Sequence, residues 1–252
     1  MKERWLLLWD PPQAAAVNMN KDLAIHRSVA AGRTPPTLRL YSWAPPAISL
    51  GFFQQAERWI DLKACQERGV EVVHRPTGGR AVVHFDDLTY SLALSESHPL
   101  VEGKGVVETY RLIAGCLVNA LQQLQVQATL AGEAETGSLP KSGACFDAPS
   151  VYEIQVNGKK VAGSAQLRKQ GAILQHGSIL FRLPPAKYSR LLKTENIGKK
   201  TTPQRDLLQE NAAGLLDLGY ALTQKKLGTA LVMSFARNFD VTFKSPGPLT
   251  FQ

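Results

Sequence analysis

The chain has 252 residues and is basic, with 29 lysine and arginine residues against 21 aspartate and glutamate residues and a formal net charge of +8. This length suffices for one large α/β domain, or one domain with a small appendage, and the hydrophobic content of 44% is ordinary for a soluble globular protein. The basic residues are scattered, without an arginine-rich arm or an aromatic-interleaved RNA-binding motif. The charge therefore favours steering of acidic partners over nucleic-acid binding.

The cysteines and the apolar runs narrow the class of protein further. Three cysteines without paired spacing argue against a disulfide framework, and the chain has neither a CxxC motif nor a Cys/His cluster of the kind that binds zinc. The apolar run from Trp5 to Leu8 is too short for a signal peptide or a membrane span and predicts a strand. We expect a cytoplasmic protein that binds neither a metal nor a membrane.

Hydrophobic periodicity predicts a series of elements in the first half of the chain. They are a helix over 13–31, strands over 37–43 and 47–53, a short helix capped by Asp61, strands over 70–74 and 88–95, and a helix over 105–125. The strand over 47–53 is expected to be the partner of the strand over 37–43. Gly51 within it indicates a bulge or a close approach of another backbone. Cys65 and Cys116 are assigned to the core.

The first predicted helix has one apolar face. Met19, Leu23, His26 and Ala30 recur at helical spacing, so these four side chains are expected to be buried together. A histidine on such a face is more often packed than it is a ligand. We therefore expect His26 to be structural.

The sequence RPTGGR, residues 75–80, joins the predicted strand over 70–74 to the apolar segment AVVHFDD. Two consecutive glycines allow a sharp turn whose N–H groups can face a phosphate, a carboxylate or the oxygen of a polarised carbonyl. The loop matches neither GxGxxG nor GxxxxGK[ST], so it is not a nucleotide-binding fingerprint. A plain tight turn explains the glycines equally well, but the flanking Arg75, Arg80 and His84 make the loop a candidate binding site.

The strongest chemical signal lies between residues 141 and 180. Cys145 is the only cysteine in a glycine-flanked, polar setting, and Asn157-Gly158 predicts a hairpin that carries Lys160 back toward it. A neighbouring ammonium stabilises a thiolate, which is the nucleophilic form of cysteine, and it can also exchange protons with leaving and incoming groups. The alternative is that Cys145 is a small buried residue and Lys160 a solvated strand lysine.

The remaining elements surround or follow this segment. A strand is predicted over 125–130, and a loop over 131–143 leads to Cys145. A strand over 171–183 is expected to be interrupted at His176-Gly177, which would place polar groups at a sheet edge, where His176 orients its neighbours, binds substrate or is structural. From Pro184 onward, the predicted elements are a helix over 185–193, a polar linker over 194–204, helices over 206–211 and 222–238, and a strand over 241–243.

Four motifs in this order resemble the biotin/lipoate protein ligase superfamily, and most closely its cysteine-dependent octanoyltransferases of lipoate biosynthesis. They are WAPPAISLGFFQ, RPTGGRAVVHFDDLTYSL, ACFDAPSVYEI and GKKVAGSAQLRKQGAILQHGSIL, and the resemblance extends from about Trp5 to Leu183. It implies an α+β fold with a mixed, largely antiparallel sheet flanked by helices, like the catalytic domain of class II synthetases and biotin/lipoate ligases. Residues 1–183 would form this catalytic domain, and residues 184–252 a helical extension packed on it.

The resemblance also implies the reaction. An octanoyl group would pass from acyl carrier protein to Cys145 as a thioester, and then to a lysine of a lipoyl domain or of the glycine cleavage H protein, without ATP, a metal or another cofactor. Cys145 and Lys160 would be catalytic, with Lys160 lowering the pKa of the thiol. The substrate-binding residues would be Arg75, Thr77, Gly78, Gly79, Arg80, His84, Gly163, Ser164, Gln175, His176 and Gly177.

Three other functions share the fold or the composition. An ATP-dependent lipoate ligase would have a similar glycine loop and lysine but no need for Cys145, and an amidotransferase would take octanoyl from the H protein. A non-catalytic module that binds acyl or lipoyl proteins would tolerate loss of both Cys145 and Lys160. The first helix reads NMNKDLAIH, which departs from the family pattern and puts a role of this helix in substrate binding in doubt.

Overall fold

The computed structural model describes residues 2–131, 153–193 and 210–245. The elements in these ranges are β1 (Glu3–Trp9), α1 (Ala15–Ala30), β2 (Thr37–Tyr41), β3 (Ala47–Leu50), α2 (Ala56–Trp59), α3 (Leu62–Glu67), β4 (Glu71–His74), β5 (Val82–His84), β6 (Asp86–Ser95), α4 (Val106–Gln123), β7 (Ala128–Leu130), β8 (Ile154–Val156), β9 (Lys159–Lys169), β10 (Ala172–Arg182), α5 (Ala186–Ser189), α6 (Gln224–Asn238) and β11 (Val241–Lys244). No helix in these ranges has the length and apolar character needed to cross a membrane.

The larger sheet has the strand order β11-β1-β2-β6-β10-β9-β8-β7. β1 runs parallel to both β11 and β2, and the other neighbouring pairs are antiparallel. β6 lies in the middle, and its alternating Leu88, Tyr90, Leu92 and Leu94 are buried in the main core because side chains two apart on a strand share a face. The predicted mixed, largely antiparallel sheet flanked by helices is confirmed.

A smaller sheet has the order β4-β3-β5. The expectation that β3 pairs with β2 was wrong, because β3 runs parallel to β4 and antiparallel to β5. Both edges of β2 are already paired, because β1 is hydrogen-bonded on one side of it and β6 on the other. The segment 47–50 therefore begins a second sheet, and this sheet carries the strands that flank the glycine loop.

The buried face of helix α1 agrees with the predicted one in part. Met19 and His26 are buried as expected, and His26 Nε2 lies 3.2 Å from the carbonyl oxygen of Ala172, which makes His26 a packed residue. Leu23 is only half-buried, whereas Asp22 is fully buried. The prediction did not include Asp22, and a charged residue that finds hydrogen-bond partners can take a core position.

The predicted core cysteines are confirmed. Cys116 of α4 packs in the main core, and Cys65 of α3 packs in a second core beneath the smaller sheet. Burial raises the pKa of Cys116 to about 12 and that of Cys65 to about 11. Both remain protonated thiols at neutral pH, so neither has the chemistry of an activated nucleophile.

The hairpin predicted around Asn157-Gly158 is confirmed. Both residues adopt left-handed backbone conformations, with φ of 51° and 72°, as a two-residue turn that continues the strand twist requires. The turn joins β8 to β9 and sets Lys160 opposite Gln155. Cys145 and the predicted loop over 131–143, apart from Ala131, lie outside the described residues.

The described part of the segment after residue 184 enters both the main sheet and the main core. β11 pairs in parallel with β1, and Leu227, Leu231 and Phe235 of α6 are buried against the other helices and strands. The predicted helix over 222–238 and strand over 241–243 are thereby confirmed. The predicted linker over 194–204 lies outside the described residues, and the domain division between residues 183 and 184 stays a prediction.

The burial of Leu231 in the main core generates a test of that division. Leu231→Ala removes a side chain with no solvent exposure and should lower the free energy of unfolding of the whole protein by about 2–5 kcal/mol in urea titrations, in one transition. Met233→Ala on the same helix, where the side chain is 52% exposed, should change it by less than about 0.5 kcal/mol. If the urea titration instead showed two transitions, and Leu231→Ala shifted only the one at lower urea concentration, residues 184–252 would be an independent unit.

Candidate functional site

A cavity of about 150 Å³ lies between α1, the smaller sheet and the strands β9 and β10. Most of the predicted substrate-binding residues line it, namely Arg75, Gly79, Arg80, His84, Gly163, Ser164, His176 and Gly177. Its other walls come from residues that were not predicted to bind substrate, namely Met19, Tyr41, Trp43, Ser49, Val82, Thr89, Ala165 and Ser178. The cavity thus combines apolar side chains with a few polar and charged groups, the usual make-up of a small-molecule site.

The glycine loop closes one side of the cavity by packing on the backbone of Gly51. A Cβ built on Gly51 would lie 1.8 Å from the carbonyl oxygen of Gly79, so the close approach predicted at Gly51 is confirmed. Gly79 itself has φ of 95°, a conformation that strongly favours glycine. The two glycines therefore let two backbone segments touch where any side chain would hold them apart.

Arg75 stabilises the curved backbone of the same loop through hydrogen bonds. Its Nη2 donates to the carbonyl oxygens of Gly78 at 2.9 Å and Arg80 at 2.8 Å, and its Nη1 donates to the carbonyl oxygen of Ser49 at 3.0 Å. The side chain is buried, and its contacts tie the loop to β3. Gly78 is anchored in this way although it does not line the cavity.

His84 belongs to a buried network at one wall of the cavity. Its Nδ1 lies 2.9 Å from Oδ2 of Asp87, and its Nε2 lies 2.9 Å from the hydroxyl oxygen of Ser49. The indole of Trp43 stacks on the imidazole, with ring centroids 3.9 Å apart. These partners fix the ring in one orientation.

The strand β10 runs through His176 and Gly177 without the predicted interruption. His176 pairs with Ser91 of β6 on one side and with Ala165 of β9 on the other, so β10 is not an edge strand either. Gly177 serves close packing instead, because a Cβ there would lie 2.3 Å from Oγ of Ser164. The glycine that suggested a break in the sequence is the residue that lets β9 and β10 approach.

His176 is held at both ring nitrogens. Nδ1 lies 3.2 Å from Oδ2 of Asp22, and Nε2 lies 2.7 Å from the hydroxyl of Thr77 in the glycine loop. Burial lowers the pKa of His176, and this outweighs the opposing effect of Asp22. The imidazole is therefore neutral at physiological pH. Thr77, also predicted to bind substrate, meets the site through this hydrogen bond and does not line the cavity.

Asp22 is the residue that the sequence analysis missed. Its carboxylate accepts from Nη1 of Arg39 at 2.7 Å, from the hydroxyl of Tyr41 at 2.8 Å and from the hydroxyl of Ser91 at 2.8 Å, besides the imidazole of His176. Burial alone would raise the pKa of Asp22, but the hydrogen bond from His176 and the charge of Arg39 hold it below its ordinary value. An aspartate at helical spacing between buried residues was the available signal.

Gln175 points to a different set of partners from its neighbour His176. It is fully buried, donates to the hydroxyl of Tyr90 at 3.1 Å and accepts from Gln166 at 2.9 Å. The Tyr90 hydroxyl also lies 2.8 Å from Oγ of Ser164. Gln175 is thus connected to the cavity wall through Tyr90 and Ser164, although it does not line the cavity itself.

Lys160 is buried, with 3% of its surface exposed, and it forms an ion pair with the equally buried Glu153. The alternative of a solvated strand lysine is therefore excluded. β9 carries Lys160 and then, three residues later, Gly163, the first of its residues in the cavity wall. The partner expected for Lys160, Cys145, lies outside the described residues.

Comparison with known protein families agrees with the fold. A family model described as the lipoyl protein ligase A/B catalytic domain matches residues 14–236. The structure of lipoate-protein ligase A bound with ATP superposes with a TM-score of 0.77 at 26% identity, covering 100% of this chain and 91% of that one. A bipartite lipoate protein ligase from Thermoplasma acidophilum shares the fold, with a TM-score of 0.77 at 24% identity over 100% of this chain and 89% of that one.

Sequence relatives are more similar than these structures. The octanoyltransferase LipM of Kyrpidia tusciae is 42% identical over 98% of this chain and 91% of its own length. The octanoyltransferase LipM of Moorella thermoacetica is 42% identical over 98% of this chain and 90% of its own. The chain therefore belongs to the lipoyl protein ligase A/B catalytic-domain family, among its octanoyltransferases, as the four motifs predicted.

The contact between Gly51 and Gly79 is directly testable. Gly51→Ala places a methyl group 1.8 Å from a backbone oxygen that cannot rotate away, and it should destabilise the fold by about 1–3 kcal/mol. Gly115→Ala in α4, where a Cβ meets no atom within 4 Å, should instead stabilise it by about 0.5–1 kcal/mol. Chemical denaturation measures both changes, and equal stabilities for the two variants would contradict the close approach.

Proposed function

We propose that this octanoyltransferase of lipoate biosynthesis takes its octanoyl group from acyl carrier protein, holds it as a thioester on Cys145, and transfers it to a lysine of a lipoyl domain or of the glycine cleavage H protein. The relatives' names support the class of reaction. The observation that carries the residue assignment is the buried ammonium of Lys160 on the strand that continues into the cavity wall.

A lysine is rarely buried without a partner, because removing an ammonium from water is costly. Glu153 supplies the partner here. In surroundings that exclude water, the same positive charge acts on a nearby anion more strongly than it would at the surface. A thiolate at Cys145 is the anion that the family resemblance predicts.

The proposed reaction has two transfers. In the first, the thiolate of Cys145 attacks the carbonyl carbon of the octanoyl thioester, and the departing thiolate of the carrier takes a proton from Lys160. In the second, the amine of the acceptor lysine attacks the Cys145 thioester, Cys145 leaves as the thiolate, and the proton lost by the amine returns to Lys160. The first step exchanges one thioester for another, and the second forms the more stable amide. The two transfers together therefore need no ATP and no metal.

The cavity supplies a binding site of suitable character for the acyl chain. Met19, Trp43 and Val82 give it an apolar wall. An eight-carbon chain, at about 0.8 kcal/mol for each buried CH₂, contributes roughly 5 kcal/mol of binding. The net charge of +8 suits association with acidic carrier and lipoyl proteins.

The first experiment is intact-protein mass spectrometry after the purified chain is mixed with octanoyl acyl carrier protein in the absence of ATP. We expect one octanoyl group on the wild type, no adduct on Cys145→Ala, and release of the adduct when an apo lipoyl domain is added. An adduct formed only from octanoylated H protein would replace the proposal with an amidotransferase. Modification of the lipoyl domain only with ATP and free acid would replace it with a ligase.

The role of Lys160 is tested by the rate of that acylation. Without a neighbouring ammonium a cysteine has a pKa of about 8.5, so only about 3% is thiolate at pH 7, and Lys160→Met should slow acylation about 10- to 30-fold. The loss should shrink above pH 9, where the thiolate forms unaided. Lys159→Met, a change at the adjacent and less buried lysine, is the matched control. Equal rates for both variants at pH 7 would remove Lys160 from the mechanism.

A further inference from the structure

We propose that Asp22 is a positioning residue for the transfer reaction, which fixes the tautomer of His176 so that this histidine holds Thr77 and the glycine loop in place. The chain of contacts runs from Oδ2 of Asp22 to Nδ1 of His176 at 3.2 Å, and from Nε2 of His176 to the hydroxyl of Thr77 at 2.7 Å. The effect on catalysis rests on the proposed function, whereas the tautomer follows from the geometry.

The tautomer is determined by what each partner can donate. An ionised carboxylate only accepts hydrogen bonds, so Nδ1 of His176 must carry the proton. In a neutral imidazole the other nitrogen is then an acceptor. Nε2 therefore accepts the hydroxyl proton of Thr77. With the opposite tautomer, Nδ1 would face the carboxylate without a proton, and Nε2 could not accept from Thr77.

Asp22 is held firmly enough to impose this choice. Arg39, Tyr41 and Ser91 each donate to its carboxylate at 2.7–2.8 Å. These donors come from β2 and β6, and Asp22 itself belongs to α1. The carboxylate is thus fixed to the larger sheet before it meets His176, and the charge of Arg39 offsets its own.

Thr77 passes the constraint to the glycine loop. It precedes Gly78 and Gly79 directly, and its carbonyl oxygen accepts from the backbone N–H of Phe52 at 2.9 Å. The side chain of Thr77 is therefore the link between the loop and β10, while its backbone links the loop to the segment after β3. In the proposed reaction this loop lies beside the thioester carbonyl, where a misplacement of about 1 Å can reduce the rate about 100-fold.

Asp22→Asn is the sharpest variant, because it keeps the shape of the side chain and replaces one acceptor oxygen with a donor. The amide N–H would favour a His176 tautomer with the proton on Nε2, which then cannot accept from Thr77. Nitrogen-15 NMR of the histidine side chains, with His176 assigned through His176→Gln, should show the proton on Nδ1 in the wild type and on Nε2 in Asp22→Asn. Asp240→Asn, at a side chain that is 78% exposed, should leave the wild-type pattern.

The kinetic readout is the single-turnover rate of octanoyl transfer and the KM for the carrier protein. Asp22→Asn should lower the rate about 10- to 100-fold while the KM changes less than about twofold, as expected when positioning is lost and binding is kept. Thr77→Val should lower the rate similarly with the His176 tautomer unchanged, and Thr77→Ser, which keeps the hydroxyl, should restore it. The Thr77 variants keep the test decisive if Asp22→Asn folds poorly.

Two results would overturn the assignment of Asp22. One is that His176 of Asp22→Asn keeps the wild-type tautomer. The other is an unchanged transfer rate, either in Asp22→Asn with a changed tautomer or in Thr77→Val. A wild-type protein that transfers no octanoyl from the carrier would overturn the proposed function instead. In that case the NMR measurement of which His176 nitrogen carries the proton, in the wild type and in Asp22→Asn, still tests whether Asp22 fixes the tautomer.

Discussion

The buried ion pair between Asp22 on α1 and Arg39 on β2 is the constraint on which the arrangement of the site depends. Both side chains are fully buried, and a buried charge is tolerated only when its hydrogen-bonding capacity is used. Arg39 meets this condition by donating to Asp10, Asn18 and Asp22, with its guanidinium 3.9 Å from the ring centroid of Tyr41. Breaking such a pair by removing one partner costs about 3–5 kcal/mol, so α1 has one permitted rotation on the sheet.

That rotation decides what the cavity contains. With Asp22 against Arg39, the preceding turn of α1 presents Met19 to the cavity, and the following turn buries Ile25 and Val29 against the sheet. The glycines then decide how closely the other walls approach. Gly51 admits the carbonyl of Gly79, and Gly177 admits Ser164. The shape of the site therefore follows from one ion pair that sets a helix and two glycines that set backbone distances.

The sequence predicted what local patterns encode and missed what distant contacts decide. Alternation located β6, helical spacing located α4, and Asn157-Gly158 located a hairpin, because each signal lies within a few residues. The sheet that β3 joins depends on which edges other strands have already occupied, so pairing it with β2 was wrong. Gly177 looked like a break for the same reason, since only the position of Ser164 distinguishes a close contact from an interruption.

Among the site residues too, those whose position depends on distant contacts were missed, and this matters for the chemistry of the site. Asp22 escaped notice because a buried carboxylate becomes plausible only once Arg39, Tyr41, Ser91 and His176 surround it. The charged groups around the cavity are then largely occupied: Asp22 by Arg39, and Arg75 by backbone carbonyls. Besides Arg75 and Arg80, the cavity wall consists of imidazole, hydroxyl and apolar groups, which suits the uncharged thioester and alkyl chain of the proposed reaction. In the proposed reaction, the net charge of +8 attracts acidic protein partners, and the cavity accommodates the acyl group.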